Sequence, residues 1–203
     1  MVERVVSKLI ESNVFVVGDE NSCVIVDAGA EVKAVKEAVA GRKVLAVLLT
    51  HGHYDHCFYV LDYVKEFGCK VYGSKLLKEY LQNPDYNYSE GQLKIEDFSD
   101  FIFLKGHGKL TFGTIEVDYT QLGGHSKSDM CFQIGDDIFV GDVLIGREMG
   151  RLDLYGGDKC AMKKSLEELS NKNYLIMNSG HGEANTKQMQ DKVAGLWIRF
   201  LNR

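Results

Sequence analysis

Short apolar runs, separated by glycine and polar turns, recur along the whole 203-residue chain, and most have the length of a strand. The runs at residues 14–17 and 23–26 flank a glycine-containing polar turn, which predicts a β-hairpin. A continuous apolar run at residues 44–49 predicts a buried strand. Further strands are predicted at residues 70–73, 101–104, 109–112, 115–119, 130–134, 138–140 and 174–177.

Helical spacing of apolar residues separates these strands. Val32, Val35 and Val39 recur at this spacing, residues 60–67 repeat it, and a further helix is predicted at residues 163–169. A C-terminal stripe, which we interpret as core packing, consists of Met189, Val193, Leu196, Trp197 and Phe200. Because the order of strands followed by helices occurs twice, we expect one α/β domain with two packed sheets covered by helices.

Polar residues cluster directly after the buried strand at residues 44–49. Half of the chain's 6 histidines lie there, in the pattern His51-x-His53-x-Asp55-His56. Imidazole and carboxylate groups are ligands of zinc, iron and manganese, so the pattern predicts a metal site at the end of a strand. The alternative is a solvated turn that is rich in histidine by chance, but four ligand groups in so short a span favour the metal site.

Three more candidate ligands follow predicted strands in the second half of the chain. These residues are His125, Asp142 and His181, and each is flanked by glycine, which lets backbone and loops approach closely. One such residue alone would more often be an ordinary loop residue. Together with the four of the histidine pattern they make seven candidate ligands, which is enough for two metal ions that share one carboxylate.

These motifs resemble the five-motif pattern of the metallo-β-lactamase superfamily, and the resemblance covers nearly the entire chain. The Asp-Ala-Gly at residues 27–29 is similar to that family's first motif. The sequences Gly-Arg-Leu-Asp at residues 150–153 and Gly-Gly-Asp at residues 156–158 resemble the small glyoxalase II-like branch. The resemblance implies an α/β fold, a four-layer αββα sandwich, with the metal ions at one edge.

The same resemblance implies two divalent ions, with zinc preferred and iron or manganese as alternatives. The implied ligands are His51, His53 and His125 for one ion, Asp55, His56 and His181 for the other, and Asp142 as the bridge. Two ions about 3.5–4 Å apart lower the pKa of a shared water from about 15.7 toward 7, and the resulting hydroxide attacks a carbonyl. The catalytic candidates are therefore Asp142 and Asp55, since Asp55 would also orient the water.

The activity implied by the resemblance is that of a metallo-hydrolase acting on a small thioester or related acyl compound. The chain ends near the point where full glyoxalase II enzymes begin a C-terminal helical domain that binds glutathione, so a glutathione thioester is not specifically indicated. The alternative is an iron oxygenase similar to persulfide dioxygenases, with one ion held by His51, His125 and Asp142. A non-enzymatic binding domain is a third class, which the full set of ligands disfavours.

Four residues near the motifs are candidates for the substrate site or for support of the metal ligands. Phe58 and Tyr59 lie where the small branch usually has glycines, and we expect their rings to reshape the floor of the cleft. We expect Arg151 and Asp153 to form an ion pair that braces the loop after Asp142.

Two other residues and one segment have simpler interpretations. Cys57 is interpreted as structural rather than nucleophilic, because no free histidine is left to activate it. His107 lies in a predicted turn and is expected to be solvated. Residues 75–99 start with helical spacing and then lose any period, and this polar, aromatic segment is either a lid or substrate wall or an ordinary connection.

Composition narrows the partners. The net charge of -5 gives no electrostatic reason to expect nucleic acid, and no run reaches the roughly 18 apolar residues of a membrane span. Scattered cysteines and an N-terminus unlike a signal peptide predict a cytoplasmic protein, which disfavours a secreted β-lactamase. The acidic balance disfavours a nuclease. The expected partner is a small-molecule substrate, and the number of subunits is left open.

Overall fold

The computed structural model describes residues 1–202, and every predicted strand is present with its ends within two residues of those expected. The strands are β1 (Val2–Val6), β2 (Asn13–Gly18), β3 (Ser22–Val26), β4 (Lys43–Leu48), β5 (Lys70–Ser74), β6 (Phe101–Leu104), β7 (His107–Phe112), β8 (Ile115–Gln121), β9 (Met130–Ile134), β10 (Asp137–Phe139), β11 (Leu144–Ile145), β12 (Glu148–Met149), β13 (Ile176–Asn178) and β14 (Asn185–Thr186). The edge strand β1 was not predicted, because Glu3 and Arg4 interrupt its apolar pattern.

Seven helices connect these strands within the described residues. They are α1 (Val32–Val39), α2 (Tyr54–Cys57), α3 (Val60–Phe67), α4 (Leu77–Gln82), α5 (Pro84–Asn87), α6 (Lys159–Asn171) and α7 (Lys187–Leu201). Asp158 caps α6 by accepting a hydrogen bond from the backbone N–H of Ala161, so this helix begins earlier than the apolar spacing alone predicts. No helix in residues 1–202 combines the length and the apolar character that crossing a bilayer requires.

The strands form two six-stranded sheets and one small hairpin of β11 and β12. The first sheet has the order β1-β2-β3-β4-β5-β6, antiparallel from β1 to β3 and parallel from β3 to β6. The second sheet has the order β14-β13-β10-β9-β8-β7, and only the pair β10–β13 is parallel. Both sheets therefore place several strand ends at a common edge.

Alternate residues of the inner strands face two different apolar layers. In β2, Val14 and Val16 pack with the residues of α1 and α3, whereas Phe15 and Val17 pack against the second sheet. Burial of both faces explains why such strands are continuous apolar runs. The outer face of the second sheet is covered by α6 and α7. The predicted four-layer αββα sandwich is confirmed.

The C-terminal helix differs from its prediction. Its contact face includes Val193, Ala194 and Leu201, which are buried against α6 and the second sheet. Leu196 and Phe200 lie to one side of that face and are 61% and 58% exposed. The prediction that the whole stripe is core packing is wrong for these two residues, because the apolar stripe is wider than the surface that α7 buries.

The two sheets meet at the edge where the candidate ligands follow their strands. The backbone N–H of Met130 donates to the carbonyl of Thr50 over 2.8 Å, and that of Asn13 donates to the carbonyl of Gly180 over 2.7 Å. Each bond joins a residue of one sheet to a loop that follows a strand of the other. A third bond, from the backbone N–H of Gly180 to the carbonyl of Gly141 over 2.7 Å, places the loop after β13 beside the loop after β10.

Candidate metal centre

The structure brings all seven candidate ligands together at this edge. Their ligand atoms form overlapping groups, each within 4.8 Å: His51, His53 and His125; His51, His56 and Asp142; Asp55, His56 and His181. We call the first of these the first set and the last the second set. They are the same two sets that the family resemblance implies.

Asp142 lies between the two sets. Its Oδ2 is 3.8 Å from Nε2 of His125 in the first set and 3.5 Å from Nε2 of His181 in the second. Its Oδ1 is 3.5 Å from Nε2 of His56. A Cβ on Gly180 would overlap Asp142 Oδ1, so the approach of the loop after β13 to this carboxylate requires glycine.

Within each set the side chains face one another closely. In the first set, Nδ1 of His53 lies 2.9 Å from Nε2 of His125. In the second set, Oδ2 of Asp55 lies 3.3 Å from Nε2 of His56 and 3.2 Å from Nε2 of His181. Nitrogen and oxygen atoms that converge in this way are arranged as the ligands of cations are.

Three buried atoms of the candidate ligands find no hydrogen-bond partner in the described part of the chain. They are Nε2 of His51, Nε2 of His53 and Oδ1 of Asp142. Leaving a buried polar atom unpaired costs about 1–3 kcal/mol. A divalent cation between the sets would satisfy Nε2 of His51 and Oδ1 of Asp142, so the residues present fit a metal centre.

Burial and charge divide the histidines into two groups. Burial, with repulsion from neighbouring imidazoles, lowers the pKa of His51 well below its usual value and that of His53 to about 3. Burial would also lower the pKa of His56 and His181, but nearby carboxylates raise the pKa of His56 well above normal and that of His181 to about 9. His51 and His53 therefore present neutral imidazoles, whereas the surroundings of His56 and His181 favour positive charge.

The two carboxylates of the centre are held in their charged form. Burial would raise the pKa of Asp55 and Asp142, but the positive charge of His56 and hydrogen bonds from His181 lower the pKa of both. A divalent cation that replaces the imidazole protons would meet the same two carboxylates, which is the usual coupling of metal binding to proton release.

Behind the cluster, Asp27 fixes the orientation of two imidazoles. Its Oδ2 accepts hydrogen bonds from Nδ1 of His56 at 2.9 Å and from the hydroxyl of Thr50 at 2.8 Å. Because the Thr50 proton is committed to Asp27, Oγ1 of Thr50 accepts from Nδ1 of His51 at 3.1 Å. Both imidazoles then present Nε2 to the centre. Asp27 itself has a φ of 63°, a strained value for a residue other than glycine.

The loop that carries His181 is fastened to the first sheet by Asn13. The side-chain amide of Asn13 donates to the carbonyls of Ser179 at 3.0 Å and Gly182 at 2.8 Å. With the backbone bond to Gly180, this buried residue holds both sides of His181. This contact was not predicted from the sequence, because Asn13 and His181 are far apart in the chain and no motif connects them.

The loop that carries His125 has a different support. The carboxylate of Asp129 accepts from the backbone N–H groups of His125 at 3.0 Å and Ser126 at 2.9 Å. Nδ1 of His125 donates to the carbonyl of Arg151 at 3.1 Å, so Nε2 faces the centre. Asp129 was also not predicted, although the sequence shows an aspartate four residues after the candidate ligand His125, in the same short loop.

Residues 75–99 lie directly against the first set. The rings of Tyr80 and Tyr88 meet the ring of His53 edge-on, with centroids 5.9 and 5.4 Å away. Tyr86 stacks on Tyr155, from the loop after Asp142, at 3.5 Å. We call Tyr80, Tyr86, Tyr88 and Tyr155 the tyrosine wall. Of the interpretations of residues 75–99, these contacts favour a wall of the cleft over an ordinary connection.

Arg151 and Asp153 form the expected ion pair, with Nη2 of Arg151 2.7 Å from Oδ2 of Asp153. Both side chains are 68% exposed, and the bracing contact to His125 comes from the backbone carbonyl of Arg151 rather than from the pair.

Phe58 and Tyr59 do not show the role expected of them. Phe58 packs with Tyr54 on the helical side of the first sheet, and Tyr59 lines a groove beside Lys8 and Glu31. The expectation that their rings shape the cleft floor needs correction, because the chain turns into α3 at this point and directs these contacts toward the helical layer.

Two residues have the structural character predicted for them. Cys57 is buried, its Sγ donates to the carbonyl of His53 at 3.0 Å, and burial raises the pKa of its thiol well above the usual value. A thiol in this state is a poor nucleophile. His107 is exposed, although it begins β7 rather than lying in a turn.

Comparison with known families identifies the chain. The family model of the metallo-beta-lactamase superfamily matches residues 8–181. The chain belongs to this superfamily. Among its relatives, the probable metallo-hydrolase YqgX of Bacillus subtilis is 31% identical, over 85% of this chain and 86% of YqgX. The hydroxyacylglutathione hydrolase GloC of Haemophilus influenzae is 28% identical, over 83% of this chain and 84% of GloC.

Solved structures of the superfamily share the fold. The B3 metallo-beta-lactamase BLEG-1 superposes with a TM-score of 0.87 at 27% identity, over 95% of this chain and 97% of BLEG-1. TTHA1623, solved in a di-iron-bound form, superposes with a TM-score of 0.81 at 27% identity, over 94% of this chain and 98% of its own. The described sandwich is therefore the metallo-β-lactamase fold.

Proposed function

We propose that this protein is a binuclear metal-dependent hydrolase that acts on a small thioester or related acyl compound. The observation that carries the proposal is the position of Asp142, whose carboxylate lies within 3.8 Å of imidazoles of both sets. A shared carboxylate between two complete sets is the arrangement that two neighbouring ions require. The ligands are the first set for one ion, the second set for the other and Asp142 for both.

The residues of the chain prepare the centre for an acyl substrate. When bound, two divalent ions supply a Lewis acid for a carbonyl oxygen and a water whose pKa is lowered toward neutrality. Asp55 would accept a hydrogen bond from the attacking water and orient it. Asp27 keeps Nδ1 of His56 protonated and its Nε2 available as a ligand atom. No protein nucleophile is needed, which agrees with the buried, structural thiol of Cys57.

Relatives support this substrate class and suggest a second one. GloC is named as a hydrolase of hydroxyacylglutathione, a thioester, and shares most of its length with this chain. BLEG-1 is a B3 metallo-beta-lactamase, so hydrolysis of the β-lactam amide is the second candidate activity. We propose zinc as the metal, and the di-iron form of TTHA1623 supports iron as the alternative.

The alternative hypothesis, an iron oxygenase, is less well supported. A single iron would need only His51, His125 and Asp142. It would leave Asp55, His56 and His181 as a second set of converging ligand atoms without a function. The two-ion centre uses every one of these residues, and we therefore prefer the hydrolase.

The test is hydrolysis by protein that has been stripped with a chelator and reloaded with zinc or with iron. We expect turnover of acyl thioesters, with hydroxyacylglutathione and a β-lactam in the same panel, and loss of turnover after stripping. Asp142→Ala should lose turnover even when it is reloaded, and Asp118→Asn, which changes a surface carboxylate on β8 paired with Lys109, is its control for a lost negative charge. Hydrolysis that resists the chelator, or oxygen uptake by a one-iron protein, would overturn the proposal.

A further inference from the structure

One buried hydroxyl in the tyrosine wall joins two loops of the metal centre. The hydroxyl oxygen of Tyr80 accepts the backbone N–H of Lys127 at 2.9 Å and donates to the carbonyl of Tyr155 at 2.9 Å. Lys127 lies two residues after His125 in the same loop. Tyr155 lies in the loop whose Arg151 carbonyl aims the ring of His125.

Two loops carry glycine at the point where they contact the side chain of Tyr80. A Cβ on Gly52, between the ligands His51 and His53, would overlap the Cβ of Tyr80. A Cβ on Gly156 would overlap its hydroxyl oxygen. The ring also meets His53 edge-on. Tyr80 therefore contacts three loops of the centre: the loop that carries His51 and His53, the loop that carries His125, and the loop that follows Asp142.

We propose that Tyr80 is a positioning residue for the first metal ion: its hydroxyl fixes the loops that carry and orient His125, and its ring fixes His53. This inference rests on the proposed two-ion centre. It predicts that loss of the hydroxyl weakens zinc binding at the first set and leaves the second set unchanged. The second set has no contact with Tyr80 of this kind, because its supports come from Asp27 and Asn13.

Tyr80→Phe is the test, because it removes one oxygen and keeps the ring. Zinc affinity is measured by competition with a chromogenic chelator in two backgrounds, His181→Ala to disable the second set and His53→Ala to disable the first. Loss of a group that supports a metal ligand typically weakens binding about 10–100-fold. We expect about a tenfold loss from Tyr80→Phe in the His181→Ala background, at the lower end of that range, and none in the His53→Ala background.

Tyr63→Phe is the matched control. Tyr63 is also fully buried, and its hydroxyl donates to the carbonyl of Ala30 at 2.7 Å in the helical layer. It should leave zinc affinity at the first set unchanged. An equal loss in Tyr63→Phe, or wild-type affinity in Tyr80→Phe, would overturn the inference and leave the proposed function standing. A wild-type protein that binds neither zinc nor iron would overturn both.

A measurement on the wild-type chain needs no variant. Because the Lys127 N–H is bonded to Tyr80, its hydrogen exchange should be slow both with zinc and after stripping. Rapid exchange of this amide in the stripped protein would show that the hydroxyl does not hold the loop before the metal arrives, and would contradict the inference.

Discussion

The first and second ligand sets lie side by side but take their support from opposite ends of the chain. The first set depends on Asp129, the Arg151 carbonyl and the tyrosine wall, all from residues after 75. The second set depends on Asn13, from the N-terminal strands, for the loop of His181. The sets share a front carboxylate, Asp142, and a rear carboxylate, Asp27, which reaches His56 directly and His51 through Thr50.

The comparison shows that one metal centre can be built on two separate groups of supporting residues, one for each ligand set, which we call frames. Each frame uses buried hydrogen bonds to orient its own imidazoles, and loss of such a supporting bond typically weakens metal binding about 10–100-fold. Substitutions in one frame should therefore weaken one ion, whereas substitutions in the shared carboxylates should weaken both.

Asp142→Ala should have the largest effect, because it removes the only carboxylate that both sets contact among the described residues. We expect hydrolysis to fall by about 1,000-fold, which corresponds to about 4 kcal/mol of lost transition-state stabilisation. We also expect fewer than two zinc ions per chain. Steady-state kinetics and elemental analysis measure the two effects. Retention of two ions with near wild-type turnover would show that Asp142 does not connect the sets.

Asp27→Asn should weaken both ions by about 10–100-fold, because Asp27 accepts at both carboxylate oxygens: Oδ1 accepts from the backbone N–H of Thr50, and Oδ2 accepts from His56 and from the Thr50 hydroxyl. An amide has only one acceptor oxygen, so its NH2 group would face a donor. Thr50→Val sharpens the comparison, since it removes only the relay to His51 and should weaken only the first ion. Competition with a chelator measures both variants. If Thr50→Val weakened the second ion equally, the two frames would not be separable.

Asn13→Ala should act on the second set alone. It removes two buried hydrogen bonds to the carbonyls beside His181, for which we expect a loss of about 1–3 kcal/mol in the free energy of unfolding. Urea unfolding of the metal-free protein measures this loss, and zinc competition should show a weaker second ion only. An equal weakening of the first ion would contradict the assignment.

The smallest expected effect is the pH dependence of stability that follows from the different pKa values of the histidines. In the unfolded chain, His51 and His53 have a pKa near 6.5 and are largely protonated as the pH falls from 6 to 5. In the folded chain their pKa is lower, so they stay unprotonated over this range. The metal-free protein should lose up to about 1 kcal/mol of stability per histidine over this unit. His56 and His181, whose pKa is raised, are protonated in both states in this range, so their stabilisation is already nearly complete.

Urea unfolding of stripped protein at pH 6 and pH 5 measures the change. His53→Gln should reduce the difference between the two free energies of unfolding, because it removes one of the two imidazoles that stay unprotonated in the folded state. A metal-free protein that is as stable at pH 5 as at pH 6 would contradict the lowered pKa of His51 and His53.

The positions of the ligands could be predicted from the sequence, whereas most of their support could not. Each ligand follows a strand, and apolar periodicity locates strands well, so a common edge for His51, His125, Asp142 and His181 was a sound inference. Asn13 and Tyr80 act through contacts with residues distant in sequence, and nothing in a local pattern marks them.

The same limit explains the differences in the rest of the fold. The strand β1 carries charged residues and gains its place by pairing with β2, which local pattern does not reveal. On α7, periodicity gave the helix and its apolar stripe, but how much of the stripe is covered depends on the width of its contact with α6. In residues 75–99, helical spacing accounts for α4, whereas contacts with Tyr155, such as those of Tyr86 and Tyr88, hold the part that has no period.

The most direct test of the two-set account is the number of zinc ions per chain in protein that has been stripped, reloaded and freed of excess metal, measured by elemental analysis. The account predicts two ions for the wild type, and one each for His53→Ala and His181→Ala. A wild-type chain that retains one ion or none would contradict it.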